Sequence, residues 1–389
     1  MKKILFISPQ PFFQWRGSPI RVNFNIQALS QLGYAVDLLT LPIGERRELQ
    51  GVDVIRVANP FRIKQIPIGP SLHKIFFDIL ILFKGLQLIR KQNYIVIHGV
   101  EEAGIIAVIL SQLAGCKAIF EKHSDPFSYK TKFLKNILLT VYAFVERVTV
   151  KRVNAVICTG PGLVKQVEKM GTPTRAFHIF DIPSSLVEPV PMQVAKIRQK
   201  LQQHDNEILI TFVGSFAVYQ GIDLLIKTIP EVTQKCPLAR FIIIGGKNDE
   251  IEKRKLILQQ QGALEAVSFI GMVAPDILPD YLSASDILLS PRISGVNTPL
   301  KLLDYFKAGR SIVATDVESN RLILNDDLAG FAAPEPTAMA AAIVSLVENN
   351  DKRKAMGERG RKLYESTYNF PNFTQKLKAC YEFVQTGTP

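Results

Sequence analysis

Short apolar runs alternate along this chain with longer stretches of helical period. The runs KILFIS (3–8), AVDLLTL (35–41), VDVIRVA (52–58), YIVIHGV (94–100), KAIFEKH (117–123), AVICTG (155–160) and AFHIFDI (176–182) are mostly continuous rather than alternating. Continuous runs of this length suit strands of a parallel sheet covered on both faces. Helical patterns fall between them near 20–33, 75–91, 101–115, 131–152 and 162–170. The alternation lapses over 183–207, a stretch with three prolines that reads as a connection between domains. A second series follows with strands at 208–214, 239–246, 267–271, 286–291, 311–315 and 330–334. Its helices fall near 221–235, 249–262, 276–284, 299–308, 318–325 and 336–349, and 352–386 is helical with no strand after it. The pattern predicts an α/β protein of two βαβ domains, 1–182 and 208–370, each with a parallel sheet whose ligands sit at the carboxyl ends of the strands.

Composition narrows the setting. The 389 residues suffice for two cores, and a 47% apolar, 21% charged composition is that of a soluble globular protein. The four cysteines, Cys116, Cys158, Cys236 and Cys380, show no CxxC spacing, which argues for a reducing, cytoplasmic setting and against a zinc site. MKKILFISPQP resembles a signal peptide for a few residues only, since Pro9 and Pro11 stop the apolar run. No segment reaches the roughly 18 uninterrupted apolar residues of a membrane span. The nearest, 75–89, carries Asp78, Lys84 and Gly85, and reads as a buried amphipathic helix or as one lying on a membrane surface.

Charge is unevenly placed. Residues 1–182 hold 24 Lys+Arg against 12 Asp+Glu, whereas 183–389 hold 23 of each. The excess cations of the first half imply an anionic partner, a peripheral contact with a membrane surface or a phosphorylated lipid. A generally basic surface is the competing reading. Nucleic acid is not expected, because the cations are dispersed and no recognisable module accompanies them.

The absence of GxGxxG after either first strand disfavours a hydride-transferring dinucleotide enzyme, and the absence of GxxxxGK[ST] disfavours a P-loop NTPase. The chemistry-bearing stretches lie elsewhere. In SGVNTPLKLLDYFKAGRSIVATD (294–316), Thr298 suits an N-cap and Pro299 a first helical position. Lys301 then opposes the helix dipole, which makes sense only if an anion binds there. The loop Gln14-Trp15-Arg16-Gly17-Ser18-Pro19 follows the first strand, and Gly17 lets backbone approach a ligand. FVGSFAVYQGIDLLI (212–226) is strand, glycine turn and helix, and FIGMV (269–273) ends a strand where main-chain groups can read a base edge.

Taken together, RGSPIR, FVGSF…YQGIDLLI, FIIIGG, VSFIGMV and SPRISGVNTPLKLLDYFKAGRSIVATD resemble the retaining glycosyltransferases of family 4, over nearly the whole chain, in a form carrying YQG and NTPLK. The resemblance implies the GT-B fold: two Rossmann-like domains facing each other across a cleft, with a C-terminal helix (371–389) returning to the N-terminal domain. It implies an acceptor in the first domain and a nucleotide-diphosphate sugar in the second. Asp304 then binds the ribose hydroxyls, as a carboxylate can, and Lys301 faces the diphosphate. His123 contacts the donor sugar, and Gly17, Gly214, Ser215, Gln220, Val273, Asn297 and Thr298 line the donor site. The chain departs from the family pattern where one glutamate falls at Val296 and two cations at Ser215 and Gln220. Arg292 and Lys301 are the nearest replacements for those cations, and Asn297 with amides around Gly295 for the glutamate.

The implied reaction moves a sugar with retention to a hydroxyl acceptor, without metal or other cofactor, in surface polysaccharide or glycolipid synthesis. No pair of carboxylates is placed for double displacement. Catalysis then rests on His123, Arg292 and Lys301, the two cations stabilising the departing diphosphate. Two other readings fit the same motifs: a GT-B-like sugar-nucleotide epimerase, and a non-catalytic nucleotide-sugar or glycan-binding protein.

Overall fold

The computed structural model describes residues 2–14, 17–64, 66, 72–124, 133–171, 176–295 and 298–387. The chain divides into two compact units, Met1–Asp181 with Phe370–Pro389, and Ile182–Asn369.

The first unit runs β1 (Lys3–Ser8), α1 (Gly17–Gln31), β2 (Ala35–Thr40), β3 (Val52–Arg56), α2 (Leu72–Lys91), β4 (Val96–Val100), α3 (Ala103–Ala114), β5 (Lys117–Lys122), α4 (Phe133–Arg152), β6 (Ala155–Cys158), α5 (Pro161–Met170) and β7 (Ala176–His178). Its strands form one parallel sheet in the order β3-β2-β1-β4-β5-β6-β7. Ile4 pairs with Val36 on one side and Val96 on the other, so the order reverses beside β1. On one face Leu5, Ile7, Leu39 and Ile97 pack with Phe77, Ile81 and Leu110.

The second unit runs α6 (Pro191–Leu201), β8 (Ile208–Val213), α7 (Ile222–Lys235), β9 (Ala239–Ile244), α8 (Asn248–Gln260), β10 (Val267–Gly271), α9 (Leu278–Ala284), β11 (Ile287–Ser290), α10 (Lys301–Ala308), β12 (Ser311–Thr315), α11 (Glu318–Arg321), β13 (Gly330–Ala332), α12 (Pro336–Val347) and α13 (Asn350–Ser366). Its parallel sheet has the order β10-β9-β8-β11-β12-β13. Period-two alternation sends Ile210, Phe212 and Leu289 to a core with α7 and α12. Leu209 and Leu288 point the other way, against Leu302, Leu303 and Phe306 of α10.

The last helix, α14 (Phe370–Thr386), belongs to the first unit. It buries Phe373, Leu377, Cys380, Tyr381 and Val384, a stripe at helical spacing. The 352–386 stretch is thus two helices, divided at Thr367–Asn369, where Asn369 bonds back to the carbonyls of Tyr364 and Glu365. The 183–207 stretch carries α6 and lies within the second unit, because Leu201 buries itself in that unit's core.

Candidate functional site

Each sheet has a switch point, where the connections from two neighbouring parallel strands run in opposite directions and open a crevice at the strands' carboxyl ends. In the second unit it lies between β8 and β11, and both strands end in residues of interest. Gly214 follows β8, and Pro291-Arg292 follow β11. Gly221 (φ +75°) opens α7 after a single helical turn at Val218–Gln220. A Cβ there would overlap the Pro291 carbonyl oxygen, so only glycine brings this turn against the β11 end. Thr315 and Asn320 brace that end from behind: Thr315 Oγ1 donates to the Arg292 carbonyl, and Asn320 Nδ2 donates to the Thr315 carbonyl at 2.9 Å.

Lys301 opens α10 and reaches into this crevice. Its Nζ is fully buried with no hydrogen-bond partner among the described residues, 4.5 Å from the centre of the Phe212 ring. A Cβ on Gly214 would lie 3.3 Å from that Nζ and 3.6 Å from Gln220 Oε1, a second buried atom without a partner. Burial, with Arg292 nearby, pushes the Lys301 ammonium down to about 7. Arg292 is itself buried, stacks 5.2 Å from the Tyr219 ring and donates from Nε to the Ser294 carbonyl at 2.8 Å. Lys301, Arg292, Gln220 and Gly214 therefore converge on one spot. Ser215 is exposed on the same turn, and Val273, beyond β10, packs against the core beneath α10.

The sequence placed the helix start too early. Leu300, not Thr298, precedes the first residue of α10, and among the described residues no side chain caps the helix. Instead the Leu302 and Leu303 amides bond to the carbonyls of Pro299 and Leu300, a tight turn that uses up two donors a helix start ordinarily leaves free. Asn297 and Val296 lie outside the described residues. Asp304 is not beside Lys301's ammonium. Its Oδ1 accepts from the Ser184 amide at 2.7 Å and the Ser184 hydroxyl at 3.0 Å, and burial pushes its carboxyl up to about 6. One turn on, Lys307 donates to the carbonyls of Ser185 and Val187, so α10 pins the segment 184–187.

In the first unit, His123 lies just past β5. Its Nδ1 is 3.0 Å from Ser18 Oγ, beside Gly17 at the start of α1, and its Nε2 is 3.1 Å from Glu121 Oε1. Glu121 is wholly buried and also accepts from Arg21 Nε at 2.5 Å and Asn25 Nδ2 at 2.8 Å, with His98 Nε2 at 3.0 Å. Burial pushes the Glu121 carboxyl up, but Arg21 and His123 outweigh it and hold it well below the usual range. Arg21 also bonds Asp181 Oδ1 and the carbonyls of Ile179 and Phe180, and His98 Nδ1 meets the Tyr381 hydroxyl at 2.8 Å. Glu101, past β4 with φ +51°, takes the His123 amide at 2.9 Å, Ser124 Oγ at 3.1 Å and the Tyr142 hydroxyl at 3.2 Å. Sequence reasoning missed Glu121, Arg21 and Glu101. The signal available was a charged pair, Glu121-Lys122, inside an otherwise apolar strand. Among the described residues no cluster of three or more His, Cys, Asp or Glu could hold a metal ion.

Comparison with known proteins agrees with this architecture. Residues 21–180 match the family described as Glycosyltransferase Family 4, and residues 207–349 match Glycosyl transferases group 1. The gpi3 subunit of phosphatidylinositol N-acetylglucosaminyltransferase from Schizosaccharomyces pombe is 23% identical over 92% of the chain and 75% of its own length. The phosphatidyl-myo-inositol mannosyltransferase of Mycobacterium leprae is 25% identical over 46% of the chain and 47% of its own. Sucrose-phosphate synthase from Thermosynechococcus elongatus superposes with a TM-score of 0.77 at 19% identity, covering 100% of both chains. HepE from Anabaena, solved with UDP-glucose, gives 0.73 at 14% identity over 98% of this chain and 100% of its own. The chain is a glycosyltransferase of GT-B type, its two halves matched by group 1 and family 4 models.

Proposed function

We propose that the protein transfers a sugar, with retention and without a metal or other cofactor, from a nucleoside-diphosphate donor to a hydroxyl acceptor in glycolipid or surface polysaccharide synthesis. The observation that carries this reading is the buried, unpartnered Lys301 ammonium beside Arg292 at the switch point of the second sheet. A buried ammonium without a hydrogen bond, set beside a second desolvated cation, is costly, and a departing diphosphate would offset that cost. In this reading Gln220, Gly214 and the exposed Ser215 border the phosphates. Main-chain groups near Val273 meet the base, and Asp304 meets the ribose with the oxygen Ser184 leaves over. Asn297 and Thr298 approach the sugar. His123, held by Glu121 and Ser18 beside Gly17, orients that sugar rather than attacking it.

The acceptor reading draws on the relatives named for phosphatidylinositol glycosylation and on one surface. Helix α2 exposes Ile75, Ile79 and Phe83 at four-residue spacing, and α4 exposes Val141 and Phe144. With the excess cations of residues 1–182, this face suits a cytoplasmic, peripheral contact with an anionic bilayer. Among the described residues no helix is long and apolar enough to cross a membrane.

The test is a thermal-shift panel of UDP, GDP, ADP and dTDP, with and without EDTA, followed by analysis of the product's anomeric configuration. Stabilisation by one nucleotide, insensitive to EDTA and lost in Lys301→Met, supports the reading. No response to any of the four overturns it. For the membrane face, Phe83→Asp should weaken sedimentation with phosphatidylglycerol vesicles at low salt.

A further inference from the structure

The first unit contains a cavity that the transfer chemistry leaves unused. It has a volume of about 340 Å³ and lies between α2, α3, α4 and β5, at the carboxyl ends of β4 and β5. Its apolar walls include Ile75, Ile105, Ile106, Phe120, Val141 and Val145. Six ionisable groups also line it, and none offers a free charge to a ligand. Glu101 is occupied by three donors, Lys74 pairs with Glu102, and Glu146 holds Lys122 through both oxygens at 2.7 Å. Burial, with Glu102 nearby, pushes the Asp78 carboxyl well above the usual carboxylate range, which disfavours its charged form. The Tyr142 hydroxyl is spent on Glu101.

A sugar would need several unpaired donors and acceptors on the walls, and this cavity has few. Its volume suits a chain of about ten methylene-sized groups at roughly 30 Å³ each. The approach to it is apolar as well, because Ile75 and Val141 belong both to its lining and to the exposed face of α2 and α4. At the opposite wall Glu101 bonds directly to the His123 amide, so an occupant that reaches this wall lies one hydrogen bond from the residue assigned to the sugar.

We propose that this cavity receives a hydrocarbon chain of the acceptor, entering from the apolar face of α2 and α4 with its polar end toward Glu101. The proposal deepens the transferase reading and rests on it.

The probes are hexyl, octyl, decyl and dodecyl β-glucosides, each below its micelle concentration, titrated against the full chain by calorimetry and thermal shift. Affinity should rise about fourfold per added methylene and level off near ten carbons. Val145→Trp, which fills the cavity from a partly exposed lining position, should remove that gain while leaving stabilisation by a nucleoside diphosphate unchanged. A response in the native protein that does not grow with chain length overturns the proposal, and so does chain binding that survives in a folded Val145→Trp. The native series stands alone if the variant fails to fold. Stabilisation by a nucleotide with no alkyl response refutes the chain pocket and leaves the transferase reading intact. An alkyl response with no nucleotide response supports the pocket and removes the reading above it.

Discussion

Replacing Lys301 with Met separates the cost of the candidate site from its use. Methionine is one heavy atom shorter than lysine and removes the charge, and nearly volume-conserving changes usually cost under about 1.5 kcal/mol. In the folded protein the ammonium sits at about 7, against about 10.4 in an unfolded chain. Below pH 7 both states are protonated and the folded state carries the whole penalty of a buried charge. Between pH 7 and about 10.4 the unfolded state binds more protons, so stability rises with pH, and above that the penalty is gone. The difference corresponds to about 3–5 kcal/mol, an upper bound because Phe212 and local relaxation return part of it. For a unit of this size that is up to about 6–20 °C in Tm. Lys301→Met should therefore melt higher than the native protein at pH 6.5, and the gap should close steadily toward pH 10.5. The same variant should bind the preferred nucleoside diphosphate about 10–150-fold more weakly, the loss of one hydrogen bond to a charged group. Calorimetry at pH 8 in buffers of different ionisation enthalpy should show the native protein taking up close to one proton on binding. Parallel pH profiles for the two proteins, or unchanged nucleotide affinity in Lys301→Met, would refute the reasoning.

Other outcomes follow from the same geometry. Asp304→Ala should lose about 1–2 kcal/mol with its two bonds to Ser184, measured by urea unfolding, and should bind ribo- and 2′-deoxynucleoside diphosphates equally, whereas the native protein should prefer the former. Glu121→Gln leaves the Arg21 guanidinium under-compensated in a buried network and should cost about 3–5 kcal/mol. Because the folded carboxyl titrates well below its unfolded value, the native protein should hold this contribution above about pH 4.3 and lose it as pH falls further, so acid unfolding of the variant should be less steep. Gly221→Ala should destabilise by more than about 1 kcal/mol and should also weaken nucleotide binding, since the Pro291 turn that carries Arg292 must move.

Much of this architecture was readable from apolar runs because both sheets are parallel and covered on both faces. Each strand then declares itself as a short continuous run, and each helix as the stretch between. The ends of elements were less readable. Thr298 and Pro299 have the right chemistry for a helix start, yet the chain makes a tight turn there and begins α10 at Lys301. The cation at 301 was legible as an oddity because helices avoid positive charge in the first turn. The partner of Asp304 was not, since Ser184 lies 120 positions away and nothing local announces the pairing. The Glu121 network was hidden for the same reason: its members come from α1, β4, β5 and the segment after β7, and only folding brings them together.

Helix α14 is synthesised only after the whole of the second unit, yet it completes the first unit. When residues 1–181 have emerged from a ribosome, the face that will hold Phe373, Leu377 and Tyr381 is still bare, and the His98 imidazole has no tyrosine to meet. The intervening unit must be made before that gap closes. For vectorial folding this means a long interval in which half the protein has a sheet but an open flank, prone to misassociation. A truncation before residue 370 would trap that state, whereas the second unit, continuous in sequence, has no such wait.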